Sequence, residues 1–375
     1  MNNQTAIVVG AGIVGLATAR ALAQKGFLVT VIERSQFSLG ASVRNFGMIW
    51  PVGQPDGKLY DRAKRTKEIW LDYLDNAKIS YNSCGSLHLA YSNEEMNVVE
   101  DIGTFFSNKK RPVSVITADE VLNKYNGINP DGLIGALRSE DETIIDPREG
   151  IRKLPEFLSE KFNVKFIWGT VITNIESNAV FAGKIKYSAD LICVCSGADF
   201  ETLYPEIYKT QPIIKTKLQM MRFKHKDPNF RIGASVCGGL SLLHYKSFTA
   251  SSALTKLRIK IESEIPEYLK HGIHVMVSQN TLGELTVGDS HEYALDFDPF
   301  DKIEINNMIL DYLKKLMHID QWEMIQSWNG IYPIMTNGEA DLFVKAEEGV
   351  YILNGIGGHG MTMSFGFAEE IINSL

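Results

Sequence analysis

The stretch Ala6-Ile7-Val8-Val9-Gly10-Ala11-Gly12-Ile13-Val14-Gly15 runs from a short apolar segment through a glycine triplet into a helical pattern. In a chain with 31 glycines a triplet alone is weak, but here every flanking element has the type that dinucleotide binding needs. Gly10 permits the tight turn out of a buried strand, Gly12 lets the backbone approach a pyrophosphate, and Gly15 lets the next helix pack on the sheet. Ile13 and Val14 open that helix, whose free N–H groups and dipole face the phosphates. A second apolar run, Leu28 to Ile32, ends at Glu33, 18 residues after Gly15. A carboxylate there accepts hydrogen bonds from both ribose hydroxyls and repels a 2′-phosphate, so NADP is disfavoured despite the neighbouring Arg34. The plain alternative is a βαβ unit without a ligand.

At 375 residues, 45% apolar and 22% charged, the chain has room for two domains or one with large insertions. Its net charge of −7, with no basic run longer than Lys109-Lys110-Arg111, argues against nucleic acid as a partner. No uninterrupted apolar run reaches the roughly 18 residues of a membrane span, and the N-terminus lacks the basic region of a signal peptide. Cys84, Cys193, Cys195 and Cys237 show neither zinc-site spacing nor the density of a disulfide scaffold. They are expected as free thiols in the reducing cytoplasm, and no metal centre is predicted.

The glycine-broken, apolar stretch from Gly40 to Pro51 is expected to be buried. An amphipathic helix follows, with Leu59, Ala63, Trp70 and Leu74 on one face. Thr117 to Glu120 reads as a capping box, and Asp146-Pro147 as the start of a helix. Val164 to Trp168, Val171 to Ile175 and Ala189 to Ala198 read as strands, the last ending beside a ligand at Ser196 and Gly197. From about 215 to 321 alternating strands, among them Leu218 to Phe223, suggest an antiparallel sheet. The chain closes with a strand at Gly349 to Asn354, a second glycine loop and a helix from about Met361 to Ile372. The expected fold is α/β, a discontinuous Rossmann-like dinucleotide-binding domain (1–80, 145–214 and 322–375) with a second α+β substrate domain on an antiparallel sheet (81–144 and 215–321).

Gly357-Gly358-His359-Gly360-Met361-Thr362 lies about 340 residues beyond the first glycine loop. A second helix N-terminus needs a second anionic target, and the reduced flavin ring, negative around N1 and the C2 carbonyl, supplies one. The cofactor is therefore expected to be FAD. A nicotinamide (NAD) dehydrogenase is the competing reading, and it rests on Glu33 alone.

Taken in order, the fingerprint with Glu33, the Gly40 to Gly47 segment, Asp146-Pro147, Val171, Asp190 to Gly197, Gly288-Asp289-Ser290, Trp328-Asn329-Gly330-Ile331-Tyr332-Pro333 and Gly357 to Thr362 resemble the D-amino-acid oxidase, glycine oxidase and sarcosine oxidase family. The resemblance covers essentially the whole chain. It implies that Gly10, Gly12, Ile13, Val14 and Gly15 hold the pyrophosphate and that Glu33 and Arg34 flank the ribose. It places Ala41, Ser42, Asn45, Phe46, Gly47 and Met48 along phosphate and ring, Val171 at the adenine, and Ser196, Gly197, Gly330 and Gly357 to Thr362 near the flavin. The implied reaction is hydride transfer from an amine-bearing carbon to flavin N5, giving an imine that water hydrolyses. Oxygen is the expected electron acceptor, with another acceptor as the alternative.

Three departures from the family are informative. Tyr332 stands before Pro333 where the glycine and D-amino-acid oxidases carry a carboxylate-binding arginine. Thr362 stands where sarcosine oxidases carry a lysine. Gly330 replaces the flavin-linking cysteine of covalent members, so a non-covalent FAD is expected. The segment Arg44 to Pro51 with Trp328 to Pro333 resembles a subgroup associated with aminophosphonates, whose dianion calls for Arg or Lys partners. Arg44, Lys217 and Arg222 are the candidates; the plain readings are a flavin-phosphate contact, a solvent-facing lysine and a surface strand charge. Met48, Trp50, Tyr245 and Tyr332 are the candidate walls of a pocket for a small amine. Tyr332 and His359 are the candidate catalytic residues, His359 either as a charge beside reduced flavin or as a backbone-fixing group.

Overall fold

The computed structural model describes residues 4–176 and 178–375. The β-branched segment Thr5–Val9 forms the middle of a six-stranded sheet, where its flanking strands cover it on both sides. It pairs in parallel with Leu28–Ile32 on one side and with Leu191–Val194 on the other. Lys165–Ile167 continues one edge in parallel, and Val350–Asn354 the other, followed by the antiparallel Leu342–Glu347. Strands from the beginning, middle and end of the chain thus share one sheet, and its parallel order needs the crossover helix Ile13–Gln24. That helix packs on the last helix, Gly360–Ser374, which also packs on Lys58–Asn76. Arg62 of the latter, buried, bridges Asp341 and Glu370 and so ties these helices together. Cys193 and Cys195 both belong to the core beneath the first helix, and all four cysteines are free.

A nine-stranded, largely antiparallel sheet forms the second layer. Ile213–His225 is its spine, pairing with Trp322–Met335, Leu285–Gly288 and Glu292–Ala294. The sheet continues through Met276–Gln279, Ser235–Cys237, Ser86–Ala90, Gly135–Ser139 and Val113–Thr117. Helices Asn93–Asn108, Leu254–Glu264 and Ile303–Leu316 contribute Phe106, Leu257 and Ile309 to its core. A small sheet of Met48–Ile49, Thr143–Ile145 and Tyr81–Asn82 joins the two layers.

The local signals match what forms. Thr117 and Glu120 make a reciprocal capping box, and Asp146 caps the helix Pro147–Phe162 by accepting from Arg148 N–H. Three expectations change. Val171 to Thr173 is not strand; the strand is Asn174–Glu176, with Val171 and Ile172 passing along a cavity and Thr173 N–H donating to Phe181 O just before it. In the Gly40 to Pro51 stretch, Gly47 to Pro51 are buried and Ala41 to Phe46 only partly so, since Gly40, Ala41, Ser42 and Arg44 border the same cavity. Trp322–Met335, grouped by sequence with the nucleotide-binding segments, hydrogen-bonds along its length to Ile213–His225 and so belongs to the nine-stranded sheet.

Candidate active site

A cavity of about 710 Å³ opens at the C-terminal ends of the parallel strands, where open α/β sheets bind ligands. Val9, Gly10 and Gly12 form its floor, and Glu33, Arg34, Thr170, Val171 and Ile172 one end. Ser196 and Gly197 border it, and Ile331 and Pro333 lie at its far side. Glu33 accepts Ala11 N–H at 2.8 Å and Ser35 N–H at 2.9 Å, which fixes its carboxylate at the strand end. Arg34 pairs with Asp199 at 3.0 Å. Ser42 Oγ accepts Ile13 N–H at 2.9 Å, tying the Gly40 segment to the helix N-terminus. Two glycines are required here: a Cβ on Gly10 would lie 2.4 Å from Cys195 O, and one on Gly15 would lie 1.9 Å from Gly10 O.

The second glycine loop meets the first. A Cβ on Gly360 would stand 3.2 Å from Ile13 Cγ2, so the N-termini of the first and last helices converge. Trp70 Nε1 donates to Met361 O at 2.8 Å, and Trp50 N–H donates to Thr362 Oγ1 at 2.9 Å, holding the loop from behind. Thr362 therefore anchors the Trp50 backbone and is itself buried. Asn45 is likewise committed within its own loop, donating to Ala41 O and Ser42 O and accepting from Gly47 N–H. Phe46 O accepts from Ser278 Oγ of the antiparallel sheet at 2.7 Å.

Tyr332 reaches this loop from the other sheet. A Cβ on Gly358 would lie 3.3 Å from its hydroxyl oxygen. Burial and nearby Asp289 hold the phenol well above its ordinary pKa, so it stays protonated. His291 Nδ1 lies 2.8 Å from Gly272 O and must donate to it, so Nε2, 3.1 Å from the Tyr332 oxygen, accepts the phenolic proton. From His291 the contacts run to His244 (ring centroids 4.9 Å), adjacent Tyr245, His359 (6.3 Å from Tyr245) and back to Gly358. His244 is exposed and Tyr245 and His359 partly so, which leaves an open-sided hollow among these contacts. Met48 and Trp50 are buried behind it, and the Tyr245 hydroxyl lies 2.9 Å from Met276 Sδ.

Burial, Lys246 and His291 push His359 down to about 4, and its Nδ1 accepts from the Gln54 side chain at 3.0 Å, a side-chain partner where one of its two sequence readings had backbone. Lys217 does not face solvent; it is 4% exposed and donates to Asp298 O and Phe300 O on the face away from Tyr332. Arg222 is no surface charge either, being 4% exposed, bonded to Gln326 at 2.7 Å and set over Trp328. Both misreadings have one cause: the strand Ile213–His225 is covered on both faces, so alternation along it does not sort buried from exposed. Arg44 is exposed, donates to Asn329 O and lines the cavity. Sequence reading did not single out His244, His274 and Asp289 as site residues, because they are spaced 15 to 30 residues apart, one at a helix end and two in loops beside strands. Asp289 is buried and pushed up to about 6, while burial and the neighbouring histidines hold His244 (beside His291 and His359) and His274 (beside His244 and His291) well below the usual imidazole range.

Two converging helix N-termini, an acidic strand end and an antiparallel sheet closing over the second glycine loop define a dinucleotide-dependent oxidoreductase. The glycines, the fixed Glu33 and a cavity lined by Glu33, Gly10, Gly12, Ser42 and Pro333 fit FAD. The chain matches the family DAO, FAD-dependent oxidoreductase, over residues 5–373, and it belongs to that family. Its fold is shared with glycine oxidase from Geobacillus kaustophilus, with a TM-score of 0.79 and 17% identity over 100% of this chain and 95% of that one. It is shared also with L-proline dehydrogenase from P. horikoshii, with a TM-score of 0.76 and 20% identity over 99% and 92%. A tRNA 5-methylaminomethyl-2-thiouridine biosynthesis bifunctional protein, MnmC of Saccharophagus degradans, is 24% identical over 247 residues, covering 63% of this chain and 34% of that protein. The chain thus spans about a third of that relative's length.

Proposed function

We propose that this FAD-dependent oxidoreductase oxidises a small amine carrying a nearby anionic group, such as an amino acid or an aminophosphonate, and that oxygen takes the electrons. The observation that carries this reading is Tyr332, hydrogen-bonded to His291 and standing against Gly358 of the second glycine loop, with the accessible faces of His244, Tyr245 and His359 around it. Bound FAD supplies the hydride-accepting N5. The chain orients the substrate C–H bond, excludes water until the imine has formed, and takes up the amine proton.

In this reading 1–80, 145–214 and 336–375 serve FAD, and 81–144 with 215–335 supply the substrate wall. FAD is held without a covalent link, since glycine occupies position 330 with Arg44 O 3.4 Å from where its Cβ would be. Four free cysteines suit a reducing cytoplasm. No helix among the described residues is long and apolar enough to cross a membrane. The test is anaerobic reduction of the bound flavin by glycine, D-amino acids, N-methyl amino acids and aminoalkylphosphonates. Bleaching by aminoalkylphosphonates supports the narrower substrate, and bleaching by ordinary amino acids alone removes it.

A further inference from the structure

One wall of the hollow holds a donor set that its own hydrogen bonds do not explain. Asp289 Oδ1 lies 3.1 Å from His274 Nε2, and Asp289 Oδ2 lies 3.9 Å from His291 Nε2. His274 and Asp289 are 3% and 5% exposed, yet His274 Nδ1 has no hydrogen-bond partner among the described residues, and Asp289 Oδ1 has only His274 Nε2 beside it. Gly272 O fixes the His291 tautomer, so Nε2 presents a lone pair. One ring nitrogen each of His244, His274 and His291 lies within 4.8 Å of the others. A buried carboxylate among imidazoles, with no Lys or Arg paired to it among the described residues, is costly unless something positive joins it.

We propose that His274, His291 and Asp289, joined by His244, bind one divalent first-row transition-metal ion. Imidazole nitrogen and carboxylate oxygen suit zinc, iron or manganese. Bonds of about 2.0–2.2 Å place adjacent donors roughly 3 to 3.5 Å apart, and the Asp289–His274 pair already meets that spacing. The Gly272 carbonyl acts as the outer partner that orients a ligating histidine. The His244 ring stacks on His274 with centroids 3.6 Å apart and planes 21° from parallel, so the two cannot aim lone pairs at one ion as they stand. His244 keeps an accessible face toward the hollow and turns in when the ion arrives. Ligation through His291 Nε2 also frees the Tyr332 hydroxyl. An open coordination position then receives the substrate's anionic group in place of the absent arginine clamp, a step that rests on the amine-oxidoreductase reading above.

The test begins with the flavin-loaded protein, stripped by chelator, dialysed, and titrated with Zn²⁺ by calorimetry and with Co²⁺ by absorbance beyond the flavin bands. The expected result is one ion per chain, lost in His274→Gln and His291→Gln and bound at least about tenfold more weakly in Asp289→Asn, with flavin spectra unchanged. No stoichiometric uptake by the wild type, or full uptake by both histidine variants, overturns the site. A variant that loses its flavin is set aside, and the wild-type titration decides. The receptor step is read separately: metal removal should raise KM for an anionic amine and leave that for a neutral amine alone. Equal effects on both overturn the receptor role. Ion uptake is scored without substrate, so a failure of amine oxidation leaves it standing.

Discussion

Tyr332 shows how one hydroxyl joins the two sheets. It gives its proton to His291 while its ring packs with Leu218 and Met220, so removing the oxygen changes the site more than the core. In Tyr332→Phe, kcat/KM should fall about tenfold or more, whereas urea denaturation should show a loss near 1 kcal/mol. A large stability loss with unchanged turnover would make the residue structural. Glu142 shows the opposite balance. Fully buried, it accepts Val52 N–H at 3.0 Å and Ser86 Oγ–H at 2.9 Å, and burial pushes it up to about 7. A carboxyl raised on folding contributes stability that is fully present below its unfolded pKa and lost as pH rises through about 7. Denaturation at about pH 5 and about pH 8 should therefore differ by up to roughly 3 kcal/mol from this group, and Glu142→Gln should flatten the difference. Tyr332 was legible in sequence because it lies in a contiguous motif. The histidine wall was not, since His244, His274 and His291 meet only through strand pairing and a helix end.

At the scale of elements, the strand, glycine turn and first helix act as one unit. Gly15→Ala would drive a methyl to 1.9 Å from Gly10 O, and neither backbone can yield without moving the turn. The variant should purify with little or no flavin, read by the ratio of visible to ultraviolet absorbance; normal flavin content would contradict this packing account. The elements that sequence reading placed correctly are those with local signals, such as the capping box at Thr117 and the Asp146 cap before Pro147. The strand Trp322–Met335 was grouped with the wrong sheet because its partner, Ile213–His225, lies about a hundred residues earlier, and neither composition nor period encodes a partner that distant. Val171 failed as strand for the same non-local reason: what it borders is a cavity.

Across the whole molecule, the two sheets divide the work. The parallel sheet offers a groove lined from Glu33 to Pro333, the first and last helices converge at Ile13 and Gly360, and the antiparallel sheet brings Tyr332 against the second glycine loop. The small sheet of Met48–Ile49, Thr143–Ile145 and Tyr81–Asn82 holds the layers together. Removing Glu370, the half-buried partner of buried Arg62, would leave Asp341 as the other carboxylate paired with that charge where the helices meet. This division is why the cofactor could be read from two glycine loops about 340 residues apart, while the substrate wall needed the folded sheet. The central claim is that the hollow presents an amine to bound flavin. Its most direct test is anaerobic titration of the flavin-loaded protein with matched pairs, an amino acid or aminophosphonate against the compound bearing hydroxyl in place of the amine. Loss of the visible flavin bands with the amine alone is the predicted result. Bleaching by the hydroxy compound and not the amine, or by neither, would contradict it.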